Sequence, residues 1–282
     1  CIIRKQDGSS IYATRDLAAA IYRQSKFNFE KMIYVVGGEQ KLHFQQVFKV
    51  LELLGFPWAT KCEHVGFGLY RFVNDQGEAE KMSTRKGKFV TLEYVLDEAV
   101  EKVLDVMKSK NTEIPESERA AIAEIIGTGA IIYNDLATDR NHDVNFNIDK
   151  VCDFEGETGP YIMYAHTRCL GILRNAPKNL IDGIDPKKLL DLSVKQPGFD
   201  KLFAAASKRL QETEELELIR TLAKLPRYLD LVLETNKPSY LANFLIDITK
   251  QFNAFYRAQK VLVEDTELAQ ARLALILATQ RT

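Results

Sequence analysis

The run KMSTRKGK, residues 81–88, decides how the rest of the chain is read. Lys81, Arg85, Lys86 and Lys88 put four cations into eight residues. Ser83 and Thr84 add short hydroxyl donors, and Gly87 lets backbone N–H groups come close to a ligand. These are parts for holding a polyphosphate. A solvated basic turn has the same composition, so order and neighbours must separate the two readings.

Upstream of this run, strand-like and helix-like patterns alternate. Residues 1–13 read as a β-hairpin about an Asp7-Gly8 turn. Thr14 then stands as the cap of a helix through Leu17, Ala20 and Tyr22. Residues 32–36 form an apolar, β-branched run of the buried-strand type, followed by Gly37-Gly38 and a helix over 39–54. Phe44, Val47, Phe48 and Leu51 make its core stripe, and Gly55 ends it. Residues 64–69 give another strand. The repetition predicts a doubly wound, Rossmann-like α/β sheet with ligands at the carboxyl ends of its strands.

Downstream the pattern is helical: 92–109, 116–138, 161–175, 199–214, 216–234, 240–260 and 267–278, with a polar stretch at 139–153. The expected organisation is an α/β domain over 1–150 followed by an all-α helical bundle over 151–282.

The totals limit what the chain can do. With 282 residues it can bury two cores, and a net charge of −1 leaves any nucleic-acid contact to local patches. No uninterrupted apolar run approaches the ~20 residues of a membrane span, and no signal-peptide pattern opens the chain. The expectation is a cytoplasmic protein with no membrane contact. Cys1, Cys62, Cys152 and Cys169 are dispersed without CxxC spacing, which predicts reduced thiols and no metal site. Cys1 in place of Met suggests a chain entered partway.

Three constellations carry chemistry. Tyr12 and Asp16 flank a strand-to-helix turn, where a carboxylate and a phenol suit a planar cation. An Asp near a helix N-terminus beside a half-buried Tyr fits the same residues. Gln40 and His43 lie near the start of the next helix, beside a glycine pair, where a nucleotide could sit; a polar face turned to water is the alternative. Tyr161, Tyr164 and Arg168 recur on one helical face, able to stack RNA bases or simply to pack within the bundle. Arg140, His142 and Lys150 in the connecting stretch could meet backbone phosphates.

The runs YATRDLAAAIYR (12–23), YVVGGEQKLHFQQVF (34–48), HVGFGLYRF (64–72), KMSTRKG (81–87) and DFEGETGPYIMYAHTR (153–168) occur in one order. That order resembles the arginyl-tRNA synthetase family, and the loop at 81–88 resembles the KMSKS signature of class I synthetases. The resemblance implies that Tyr12, Asp16 and Gln40 hold the guanidinium of arginine and that His43 lies at the adenosine side. It implies ATP with Mg2+ at Lys81, Met82 and Ser83, with Lys81, Ser83, Arg85 and Lys86 acting on the leaving phosphates. It also implies an anticodon-binding bundle in which Tyr161, Tyr164, Arg168, Asn253 and Tyr256 meet tRNA, Asn253 and Tyr256 coming from the FNAFY run at 252–256. A monomer is expected.

Two departures qualify this. His43, His64, His142 and His166 are the only histidines, and none makes the family's His-x-Gly-His. That motif is expected upstream, so the chain resembles the later part of the enzyme. Thr84 also stands where many class I enzymes carry a second Lys, leaving open which cation touches phosphate. An RNA-binding module without activity of its own is the alternative. The cysteine-specific synthetase fits less well, because its zinc site has no counterpart in these dispersed cysteines.

Overall fold

The computed structural model describes residues 2–73, 79–81, 90–109, 114–181, 203 and 208–282. The chain divides into two compact units, residues 1–82 with 139–146, and residues 83–138 with 147–282.

The first unit is built around a βαβ crossover. Helix α1 (Tyr12–Phe27) precedes strand β1 (Met32–Gly37), a 3-10 turn (Gly38–Gln40), helix α2 (Lys41–Leu53) and strand β2 (Cys62–Phe67). β1 and β2 pair in parallel, from Met32 opposite Cys62 to Gly37 opposite Phe67. Leu17 and Ala20 of α1 share one core with Met32 and Tyr34 of β1 and Phe44, Val47 and Leu51 of α2. Both helices therefore cover the same sheet face. On the other face Ile33 and Val35 remain 43% and 66% exposed. The buried-strand pattern of residues 32–36 is thus satisfied on one side only among the described residues.

The expected N-terminal hairpin is a single antiparallel bridge, Arg4 to Ser10. Asp7 accepts from the Ser9 N–H and hydroxyl, and Gly8 takes φ +82°. The second strand cannot extend because α1 begins at Tyr12. Thr14 is accordingly the third helical residue rather than the cap. Its hydroxyl accepts from the Ile11 N–H at 3.3 Å and donates to the Ile3 carbonyl.

A second sheet was not expected. Strand β3 (Tyr70–Val73) pairs antiparallel with β4 (Ala79–Lys81) and parallel with β5 (Val144–Phe146). β5 belongs to the stretch read as a polar connection. Its partner is some 70 residues away in sequence, and no local pattern announces it. Segment 140–144 is laced to the β2–β3 turn. The Gly68 N–H donates to Arg140 O at 2.8 Å, and Val144 N–H to Leu69 O at 2.9 Å. Arg71 donates from Nε and a terminal nitrogen to Asp143 Oδ2 at 2.9 and 2.6 Å.

In the second unit, α3 (Leu92–Ser109) and α4 (Glu116–Ala137) are followed by a short α5 (Ile148–Val151) and by α6 (Gly159–Asn175), with Pro160 in the first turn of α6. Gly127 allows α4 close to α3: a Cβ there would meet the Ala99 carbonyl carbon at 2.9 Å. By length and composition alone, α4 is long and apolar enough to cross a bilayer. In the fold it packs against α3, α6 and the later helix 239–258.

The predicted helix 216–234 is two helices, α7 (Thr213–Leu222) and α8 (Leu225–Thr235). Pro226 has no N–H for the preceding turn, so the ladder stops and restarts with Pro in the first turn of α8. Helices α9 (Ser239–Ala258) and α10 (Thr266–Arg281) complete the bundle. The helix expected over 199–214 falls largely outside the described residues.

Leu173, Phe252, Phe255, Leu273 and Ile276 fill the core of this unit. One ion pair is sealed inside it. Arg272 Nε donates to Glu215 Oε1 at 2.7 Å, and the two side chains are 7% and 0% exposed. The Gln211 and Glu212 N–H groups donate to Glu215 Oε2, and Arg272 also reaches Lys260 O and Gln259 Oε1. With both carboxylate oxygens and all three guanidinium nitrogens engaged, neither charge is stranded by burial. Cys62, Cys152 and Cys169 are free thiols. Burial pushes Cys152 up to about 11 and Cys169 up to about 12, so both stay protonated at neutral pH.

The close approach at Gly68 gives a test. A Cβ there would lie 2.2 Å from His142 O, a backbone atom that cannot swing away. Gly68→Ala should lower stability by about 1–3 kcal/mol. Trp58, the only tryptophan, belongs to this unit, so its fluorescence in urea reports the change. An unchanged midpoint contradicts the contact.

Candidate functional site

In the first unit the predicted ligand residues lie on α1 and at the start of α2, and the structure brings Asp16 and His43 into contact. The turn Gly38–Gln40 follows directly on the carboxyl end of β1, the position where parallel α/β sheets bind ligands. Gln40 is exposed there. Asp16 is half-buried on α1, one turn after Tyr12, whose ring is 81% exposed at the helix start. The two lie on the same helical side, i and i+4.

The Asp16 carboxylate does not stand alone. His43 Nε2 lies 2.6 Å from Asp16 Oδ2, with side chains 35% exposed for Asp16 and 27% for His43. The His43 ring meets Phe44 edge-on at 5.2 Å, and Phe44 stacks on His64 at 4.9 Å and 17°. His64 Nε2 is 3.0 Å from Val36 O, so that nitrogen carries the proton. An imidazole, a phenyl ring and a second imidazole thus link α1, α2 and the two parallel strands. Burial raises the Tyr34 hydroxyl beneath them, with Arg23 over its ring at 5.6 Å.

Beside this lies a cleft of about 480 Å³ lined by Gly38, Lys41, Gln45, His64, Gly66 and Arg140 among others. Gly66 leaves it room: a Cβ there would sit 3.2 Å from Gly38 Cα. Lys41 and Gln45 were not singled out from sequence, although their i, i+4 spacing beside a glycine pair could have flagged them. Arg140 donates to Gly66 O at 2.8 Å and to Asn141 Oδ1 at 3.2 Å, so part of its guanidinium holds the fold. Of the loop run, Lys81 ends β4. Met82, Ser83, Arg85 and Lys86 lie outside the described residues.

In the second unit, five residues expected at an RNA interface converge. Arg168 on α6 donates to Asn253 Oδ1 at 3.0 Å and to the Tyr164 hydroxyl at 3.2 Å. Asn253 on α9 donates through Nδ2 to the Tyr161 hydroxyl at 2.9 Å. The Arg168 guanidinium carbon lies 4.2 Å from the centroid of the Tyr164 ring and 5.3 Å from that of Tyr256. Asn253 is 8% exposed and acts as the clip, whereas Tyr164 and Tyr256 are 50% and 40% exposed. The result is a partly exposed aromatic surface with the Arg168 guanidinium within cation–π distance of two rings.

The model of the catalytic domain of class I (R) tRNA synthetases matches residues 1–148. The chain belongs to this family. A second model, the DALR anticodon binding domain, matches residues 162–282. The arginine–tRNA ligase of Clostridium botulinum is 44% identical over 277 residues, covering 98% of this chain and 44% of that protein. The ligase of Clostridioides difficile is 38% identical over 281 residues, covering 100% of this chain and 45% of that protein. The chain therefore spans about half the length of the curated relatives it matches.

Among solved structures, arginyl-tRNA synthetase from Plasmodium falciparum superposes with a TM-score of 0.75 at 26% identity, over 99% of this chain and 43% of that one. The Thermus thermophilus enzyme gives a TM-score of 0.78 at 23% identity, over 100% of this chain and 48% of that one, a likeness of fold. The architecture is that of a class I synthetase catalytic domain followed by a helical DALR domain.

The Asn253 clip can be measured alone. A double-mutant cycle of Tyr161→Phe and Asn253→Ala should give a coupling of about 0.5–1.5 kcal/mol in unfolding free energy. Strict additivity contradicts the hydrogen bond.

Proposed function

We propose that the full gene product is an arginine–tRNA ligase. In the first step an oxygen of the arginine carboxylate attacks the α-phosphorus of ATP. The bond to the β-phosphate breaks, and pyrophosphate leaves with its Mg2+. In the second step a ribose hydroxyl at the tRNA 3′ end attacks the activated carbonyl and AMP departs. No covalent intermediate with the protein is needed, so positioning and charge stabilisation carry the rate.

Asp16 is the observation that carries this reading. It is a half-buried carboxylate beside the carboxyl end of a parallel strand, one turn from an exposed phenol. Two parallel N–H bonds from a guanidinium would satisfy it, with Tyr12 and Gln40 closing on the same group. A site that satisfies a substrate's donors discriminates strongly against analogues lacking them, by about 10⁴–10⁵. His43 and the cleft beside it serve the adenosine side. Lys81, Met82, Ser83, Arg85 and Lys86 serve the phosphates, each donor worth about 10²–10³ in rate.

The exposed tyrosines with Arg168 form the tRNA platform, anticodon bases stacking on Tyr164, Tyr256 and the guanidinium plane, while the charge of Arg140 draws backbone phosphate. The proposed functional boundary lies between 1–150 and 151–282, and the protein acts as a cytoplasmic monomer away from membranes.

Asp16→Asn should abolish arginine binding while leaving ATP binding nearly intact, measured by equilibrium dialysis on the full gene product. Near-normal arginine affinity would refute the role. Pyrophosphate exchange above background, assayed with and without tRNA, separates a ligase from a mere RNA-binding module. On the RNA side, Arg168→Lys keeps the charge and loses the plane. It should weaken tRNA binding about tenfold, within the range for one stacked base, with little change in the salt slope. An unaltered affinity contradicts the stacking role.

A further inference from the structure

Lys81, the first of the residues assigned to the phosphates, reaches its place through one strand pairing. It ends β4, which among the described residues pairs with β3 alone, and in that ladder Lys81 stands opposite Arg71. Arg71 in turn donates from Nε and a terminal nitrogen to Asp143 Oδ2 at 2.9 and 2.6 Å, while Asp143 Oδ1 accepts the Leu69 N–H at 2.8 Å. We infer that Asp143 is a positioning residue of the activation step: its carboxylate fixes the register of β3, and through β3 the point at which Lys81 meets the leaving phosphates. The inference rests on the reading of Lys81 as a phosphate ligand.

The strands cannot hold that register by themselves. β3 has four residues, and β4 and β5 have three each. Ladders so short are marginal on their own. Register is strongly specified only where an apolar alternation commits one face to a core, and the β4 run Ala79-Glu80-Lys81 has no such alternation. A slip of one residue would carry Lys81 about 3.3 Å along the strand and to the opposite face of the sheet. A misplacement of about 1 Å already costs on the order of 10²-fold in rate, so even a fraction of that slip matters to the chemistry.

Asp143 supplies what the ladder lacks. It stands immediately before β5, and its two oxygens hold a backbone N–H just ahead of β3 and the side chain of the second residue within it. The two attachment points are two residues apart on one strand, so together they fit one register. In that register Tyr70 faces Val144 and Phe72 faces Phe146, with the Tyr70 and Phe146 rings 6.2 Å apart. The Arg71 and Asp143 side chains are 39% and 37% exposed, so their pairing adds little to global stability and acts on local order instead. An amide in place of the carboxylate could still accept from Leu69, but it would turn an N–H2 group toward the Arg71 donors.

The test is pyrophosphate exchange by the full gene product with tRNA present. Asp143→Asn should lower kcat at least about tenfold and leave the KM for arginine unchanged, the pattern of a contact made in the transition state. The loss should run through Lys81. In a Lys81→Ala background Asp143→Asn should cost at most about twofold, because the group it places is gone, whereas a loss through general misfolding multiplies with the Lys81→Ala loss. Hydrogen exchange followed by mass spectrometry reads the strands without reference to activity. Peptides spanning β3 and β4 should lose protection in Asp143→Asn while those of α1 and α2 keep theirs. An unchanged kcat, full multiplication with the Lys81→Ala loss, or unaltered protection of β3 and β4 overturns the inference. Should Lys81→Ala itself exchange at the wild-type rate, the reading of Lys81 as a phosphate ligand falls instead, so the two failures are distinguishable.

Discussion

On the proposed reading Asp16 recognises a guanidinium, so its carboxylate must be charged, oriented and reachable, and these demands conflict. Full burial would strip its water and favour the neutral acid, while full exposure would leave it mobile and screened. The contact between Asp16 and His43 resolves this at an intermediate depth. The first unit supplies what that contact requires: α1 and α2 share the face of β1–β2, and Leu17, Ala20, Phe44 and Val47 fix how the two helices meet. Without that shared core, two side chains 27 residues apart would have no reason to stay at 2.6 Å.

The second unit answers a similar problem on another scale. A free arginine on a helix surface loses much side-chain entropy when it binds a base. Arg168 has given up that freedom in advance, held by Asn253 and flanked by Tyr164 and Tyr256. Asn253 is buried because it is spent on Tyr161 and Arg168, leaving the exposed faces aromatic. The sealed Glu215–Arg272 pair shows the opposite treatment of charge, with both carboxylate oxygens and all three guanidinium nitrogens engaged inside the bundle.

Much of this was legible in the sequence where local pattern decides. The i+3 and i+4 stripe of Phe44, Val47 and Leu51 placed α2, and Gly55, at φ +83°, stopped it. Tyr161, Tyr164 and Arg168 shared a face by periodicity alone. Non-local pairing was not legible. β3, β4 and β5 are three or four residues each, and their register depends on segments far apart in sequence. The Asp16–His43 contact was hidden for the same reason, since each residue had a separate assignment and nothing in the spacing joined them. Pro226 was legible in principle, because a missing N–H interrupts a helix wherever it falls beyond the first turn. The exposed Ile33 and Val35 carry a different lesson. Their run describes a strand covered on both faces, and these residues supply one cover.

The most direct test of the account is a crystal structure of the full gene product with L-arginine bound. The account predicts two guanidinium nitrogens within hydrogen-bond distance of Asp16, with the Tyr12 ring and Gln40 against the same group and His43 still on Asp16 Oδ2. Arginine bound elsewhere, with Asp16 engaged only by His43, would contradict it.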